Sequence, residues 1–149
     1  MVRTVDLFSG GGCSSWGARM AGAEIVAGVD AWGPAIATYR VNFPEARAIH
    51  SRLSMDTGPE ILGPDIGKID LLLASPECTN HSVAKGSKFR DEESRRSGWF
   101  AVEFLRRMGD SAPRWVVLEN VTPMRTWDGF GDLMAALERP EHALFGQDA

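Results

Sequence analysis

Cys78 stands in Ser75-Pro76-Glu77-Cys78-Thr79-Asn80-His81, straight after the apolar run Ile69-Asp70-Leu71-Leu72-Leu73-Ala74. A thiol just past a strand end, among polar residues, is placed to act as a nucleophile because its thiolate can be reached. His81 invites a Cys–His hydrolase pair, but such pairs come from separated segments, so a three-residue spacing argues against it. Cys13 comes after three glycines and is expected to pack beneath them. Glu119 succeeds Val116-Val117-Leu118 and precedes Asn120-Val121. Partial desolvation beside Trp115 and Val121 would let its carboxyl hold or donate a proton near neutrality.

A second group of residues is suited to holding a ligand. Gly10-Gly11-Gly12 comes after Thr4-Val5-Asp6-Leu7-Phe8-Ser9, and glycines there let the backbone turn sharply and approach a nucleotide-like cofactor without side-chain clash. The run departs from the dinucleotide fingerprint, since Ser15 stands where the third glycine would fall. Asp30 ends the next apolar run, Glu24–Asp30, and an acid there commonly accepts hydrogen bonds from ribose hydroxyls. Ribose is common to nicotinamide cofactors and S-adenosyl-L-methionine, so Asp30 alone does not choose between them.

These residues need a scaffold. Strands are expected at 4–8, 24–30, 46–50, 69–74 and 114–118, the last of them buried. Helices are expected at 14–20, 34–41, 98–108 and 131–139. Residues 51–67 read as loop with one helical turn, and Gly22 as a helix C-cap. Alternation of this kind predicts an α/β fold, a parallel sheet flanked by helices, with ligands beyond the C-terminal strand ends. Just beyond those ends lie Ser9–Gly12, Asp30, Ser75–His81 and Glu119–Val121, all polar or glycine-rich. That coincidence points to an enzyme.

The 149 residues fit one domain, with 44% hydrophobic and 24% charged residues and a formal net charge of −4, which disfavours disorder. No apolar run is long enough for a membrane span, the start lacks a signal-peptide layout, and two distant cysteines lack zinc spacing. The chain reads as cytoplasmic, with free thiols and no metal. Acidic overall, it has one basic stretch, His81–Arg107, where seven basic side chains, Lys85 and Lys88 among them, face four acidic ones.

Taken together the motifs resemble those of the cytosine-C5 DNA methyltransferase family. Asp6–Gly12 resembles its first cofactor motif; Asp30, Trp32 and Tyr39 with Asn42-Phe43-Pro44 its second; Ser75–Cys78 its nucleophile loop; and Glu119-Asn120-Val121 its Glu-Asn-Val motif. The resemblance implies a Rossmann-like fold that binds S-adenosyl-L-methionine through Phe8, Ser9, Gly10, Gly11, Gly12, Asp30 and Pro76. It implies a DNA substrate whose cytosine is flipped from the duplex. Cys78 would attack C6 and Glu119 would hold the N3 edge, with Asn120, Lys85 and Lys88 as substrate contacts and the 81–98 loop closing over DNA.

Three departures stand out. Glu77 replaces a commoner Pro, Thr79 stands where Gln is frequent, and His50-Ser51-Arg52-Leu53 offers no acid for the adenine amine. The resemblance covers about residues 3–138 but only the first part of a family member: no Gln-x-Arg-x-Arg motif, target-recognition region or final Gly-Asn motif occurs. Residues 1–149 are therefore expected to form the N-terminal part of a catalytic domain, an incomplete fold that is truncated, half of a split enzyme completed by a complementary polypeptide, or a remnant. An RNA-directed relative, a silent cofactor-binding module and a nicotinamide dehydrogenase are the competing expectations. Uncovered sheet edge predicts self-association or poor solubility.

Overall fold

The computed structural model describes residues 1–78 and 96–140. Five strands, β1 (Arg3–Leu7), β2 (Glu24–Asp30), β3 (Arg47–His50), β4 (Leu71–Ala74) and β5 (Trp115–Leu118), form one sheet in the order β3-β2-β1-β4-β5. Every pairing is parallel. Four helices of eight residues or more accompany them among the described residues: α1 (Cys13–Met20), α2 (Gly33–Asn42), α3 (Ser97–Met108) and α4 (Phe130–Glu138). Two 3-10 turns, Pro59–Leu62 and Pro64–Ile66, occupy the stretch expected to hold a single helical turn.

The strand order reflects the route of the connections. After β1 the chain steps outward through α1 to β2 and through α2 to β3, then returns to lay β4 on the other side of β1. The switch in direction therefore falls between β1 and β4, and it opens a crevice at their C-terminal ends. Leu7 is paired with Ala74 there, so Phe8–Gly12 and Ser75–Cys78 leave the sheet side by side.

Both faces of the sheet are covered, as near-continuous apolar strands require. Val5, Leu7, Val29 and Leu72 join Phe100, Phe104 and Leu105 of α3 in the main core. Ile25 instead belongs with Ile36, Tyr39 and Phe43 on α2 and just beyond it. A third cluster, Val102, Met124, Leu133 and Ala136, seats α4 against α3. Helix α1 ends as expected: Gly22 is left-handed (φ 89°), its N–H reaches Arg19 O at 2.9 Å, and Ala23 N–H reaches Ala18 O at 3.0 Å. This is the Schellman arrangement that glycine favours.

Two expectations are corrected. Strand β1 stops at Leu7, and Phe8 turns away with φ 58°, outside strand geometry. Strand β5 is an edge and not a buried strand: it pairs with β4 alone among the described residues, and Trp115 and Val117 are 59% and 51% exposed. No described helix is long and apolar enough to cross a membrane.

Candidate cofactor and nucleophile site

The site is built where β1, β2, β4 and β5 end. Ser9 N–H donates to Val29 O at 3.0 Å and Gly12 N–H to Ser9 O at 2.9 Å, closing a tight turn directly into α1. Phe8, Gly10 (φ 53°) and Gly12 (φ 98°) carry positive φ. A side chain at Gly12 would run into the Phe43 ring, whereas nothing lies within 4 Å of a Cβ placed at Gly10. Gly12 thus permits helix packing, and Gly10 leaves bare backbone facing open space. A positive φ at a bulky aromatic such as Phe8 is strained, and strain of this kind gathers where ligands are clamped.

Asp30 holds this turn. Its Oδ2 accepts the Gly10 N–H at 2.8 Å and its Oδ1 the Trp32 N–H at 2.8 Å. A carboxylate has about four acceptor positions, so Asp30 retains capacity for ribose hydroxyls while it pins the glycines. The exposed Trp32 stands beside it. His50, paired with Asp30 across β2 and β3, lies 2.9 Å from Ala31 O through Nε2. Where an acid was missing from the sequence pattern, an imidazole braces the strand end instead.

The segment Ser75–Cys78 is tied to both neighbours. Ser75 N–H donates to Leu7 O at 3.2 Å, and its hydroxyl lies 3.4 Å from that of Ser14 on α1. From the other side Glu119 N–H reaches Ala74 O at 2.9 Å and Asn120 Nδ2 reaches Pro76 O at 2.9 Å. Pro76 is buried, while Glu77 and Cys78 are exposed. Asn120 Oδ1 accepts the Val121 N–H at 2.8 Å, so both ends of its amide brace backbone. Cys78 and Glu119 therefore sit at the ends of adjacent strands, with the glycine turn on the next one.

Several expectations change here. Glu119 is exposed, because β5 is an edge, and the desolvation expected beside Trp115 and Val121 is absent. Cys13 does not pack beneath the glycines. It is an exposed, free thiol opening α1, and with Gly11, Gly12, Trp16 and Asn42 it lines a hollow of about 340 Å³. Lys85, Lys88, His81 and most of the 81–98 loop lie outside the described residues. Of the basic stretch, Arg106 and Arg107 are engaged by Glu103 within α3, at 2.7 and 2.8 Å.

Sequence patterns missed Asp6 as a site residue. It is fully buried at the end of β1 and bonded to Ser15, which in turn bonds Tyr39. The signal was there: a serine in place of the fingerprint glycine, nine positions after an acid inside an apolar strand. Among the described residues no group of three or more His, Cys, Asp or Glu could hold a metal ion.

Comparison with known proteins decides the family. The pattern of the C-5 cytosine-specific DNA methylases matches residues 2–138. The chain belongs to the C-5 cytosine-specific DNA methylase family. Among family relatives, the Type II methyltransferase M.HgiGI of Herpetosiphon aurantiacus is 36% identical over 83% of this chain and 94% of its own length. M.HgiDI of the same organism is 34% identical over 83% of this chain, which spans 38% of that longer protein. A DNMT2 variant from Spodoptera frugiperda superposes with a TM-score of 0.70 over 94% of this chain and 41% of its own, at 22% identity. That likeness shows the Rossmann-like fold. This C5 methylase chain thus spans only 38% and 41% of those two longer proteins, and S-adenosyl-L-methionine-dependent methyl transfer is the chemistry of its family.

Proposed function

We propose that residues 1–149 form the N-terminal part of a cytosine-C5 DNA methyltransferase catalytic domain, the part that holds the cofactor and carries the nucleophile. The observation that carries this reading is the clasp of three strand ends: Ser75 joined to Leu7, and Asn120 joined to Pro76. It keeps the thiol loop, the glutamate and the glycine turn in one crevice.

The residues present fit S-adenosyl-L-methionine. Ser9 Oγ is buried without a hydrogen-bond partner, Gly10 faces open space, and Asp30 is a half-buried carboxylate. A buried orphan hydroxyl beside a bare glycine backbone is the mark of a site awaiting a polar ligand. Phe8, Ser9, Gly10, Gly11 and Gly12 would line it, Asp30 would take the ribose, and Pro76 would wall the side toward Cys78. When bound, the cofactor supplies an electrophilic methyl group.

The remaining chemistry belongs to this chain and to the cytosine. The base must leave the duplex to be reached. Cys78 thiolate adds to C6, forming a C–S bond as the ring π electrons move toward C5 and N3. Glu119 holds N3 and the exocyclic-amine edge and stabilises the charge that develops there. With the cofactor bound, C5 would receive its methyl group as the S–CH3 bond breaks, and loss of the C5 proton to water would restore the double bond and expel the Cys78 thiolate. Asn120 holds the Pro76 backbone so that the thiol stays in reach. Lys85 and Lys88 are proposed to contact DNA phosphates. Sequence selection would come from a target-recognition part outside residues 1–149, in the same polypeptide or in a complementary one.

Calorimetric titration of S-adenosyl-L-methionine, with NAD as control, tests the cofactor half. Saturable binding of the first alone, weakened in Asp30→Ala, is expected; a folded chain that binds neither would overturn the proposal. For the substrate, labelled methyl transfer is compared on duplex DNA and on tRNA. Label confined to tRNA would replace DNA with RNA.

A further inference from the structure

Asp6 is an unusual buried carboxylate. It is 0% exposed, and its two oxygens are treated unequally. Oδ2 accepts the Ser15 backbone N–H at 3.2 Å and the Ser15 hydroxyl at 2.6 Å, whereas Oδ1 has no partner. Ser15 Oγ also lies 2.9 Å from the Tyr39 hydroxyl. Because the Ser15 proton goes to the carboxylate, Tyr39 O–H must donate to Ser15. A directed chain, Tyr39 to Ser15 to Asp6, therefore runs from α2 through α1 to β1.

The packing around this chain is shaped for it. Gly28 is paired with Asp6 across β1 and β2, and a Cβ there would collide with the Tyr39 ring. A Cβ at Gly12 would lie 3.1 Å from Tyr39 Cδ2. Two glycines thus make room for one tyrosine directly under the cofactor turn. A buried, half-satisfied carboxylate is costly, and burial pushes the Asp6 carboxyl up to about 6. Stability does not account for a charged group here, because a neutral amide would accept from Ser15 without burying a charge.

We infer that Asp6 is the positioning residue of the glycine turn, clamping α1 and α2 to β1 through Ser15 and Tyr39 so that residues 9–12 keep the shape that receives the cofactor. This rests on the proposal that the turn holds S-adenosyl-L-methionine. The charged carboxylate makes bonds roughly twice as strong as a neutral one, so protonation loosens the clamp. The charged groups that bear on it are Asp30 at the end of β2, which favours protonation, and Arg19 on α1, which acts on Tyr39. Strand β4 sets apolar Leu73 beside it.

Tyr39 is the only tyrosine of the chain, so a ring carbon-13 label gives a single resonance that reports the clamp without any ligand. That resonance is expected to titrate between about pH 7.5 and about pH 5.5, and to lose the response in Asp6→Asn and in Ser15→Ala, which breaks the chain at its middle. A resonance that stays still in the wild type, or moves equally in both variants, overturns the inference. In calorimetry, affinity for S-adenosyl-L-methionine should fall several-fold over the same range in the wild type and stay flat in Asp6→Asn; flat affinity in both overturns it as well. Binding by neither protein at any pH strikes the proposed function instead, and the tyrosine resonance still decides the clamp.

Discussion

Asp30 holds the glycine turn and is also the acceptor proposed for the cofactor ribose. Its oxygens hold the N–H groups of Gly10 and Trp32, each at 2.8 Å, so Asp30→Ala removes the proposed ribose acceptor and also frees the turn. Affinity for S-adenosyl-L-methionine should drop about tenfold or more, roughly 1.4 kcal/mol, read by calorimetry. Cys78→Ala should do the opposite: the thiol is exposed and lies outside residues 8–12, so cofactor affinity should hold while methyl transfer is lost. Asp6 makes a prediction about stability. Burial raises its carboxyl from 3.8 to about 6, so between those values the native protein keeps a proton that the unfolded chain has released. The stabilising contribution is complete below about 3.8 and is lost as the pH rises through about 6. Relative to Asp6→Asn, the wild type should lose up to about 3 kcal/mol between pH 4 and pH 7.5, measured by urea unfolding.

Elements place these residues, and the placement was only partly legible. Apolar runs bounded by glycine and proline located the five strands and four α-helices of the described residues to within a few residues, because periodicity and caps are local signals. Phe8 escaped, since a positive φ at an aromatic is dictated by the tight turn into α1 and not by its own preference. Cys13 escaped because its exposure depends on which face of α1 meets the sheet. Gly12 carries both constraints, a φ of 98° and a Phe43 ring where a Cβ would go. Gly12→Ala should therefore cost at least about 2 kcal/mol in thermal or urea unfolding. Asn120 joins β5 to the nucleophile loop by one bond to Pro76 O. Its replacement by Ala should cost only about 1 kcal/mol of stability yet lower the methyl-transfer rate far more than it lowers cofactor affinity, because the thiol loop loses its brace.

For the whole molecule, the open side is β5. Its exposed Trp115 and Val117 lie on an edge that pairs with β4 alone among the described residues, next to a hollow of about 800 Å³ that Leu105, Phe130, Met134 and Leu137 help to line. Such edges recruit other strands. The chain alone is expected to self-associate at tens of micromolar, and Val117→Lys should return it to a monomer in light scattering; a wild type that is already monomeric would contradict this. The sequence by itself determined the family, the parallel α/β order and the four motifs at strand ends, because each is written in contiguous residues. Only the tertiary structure decided that Glu119 is exposed, that β5 is an edge, and that Asp6, Ser15 and Tyr39 form one chain under the glycine turn. Those facts depend on residues far apart in sequence meeting in space, and on which neighbours a strand has, neither of which any local pattern encodes.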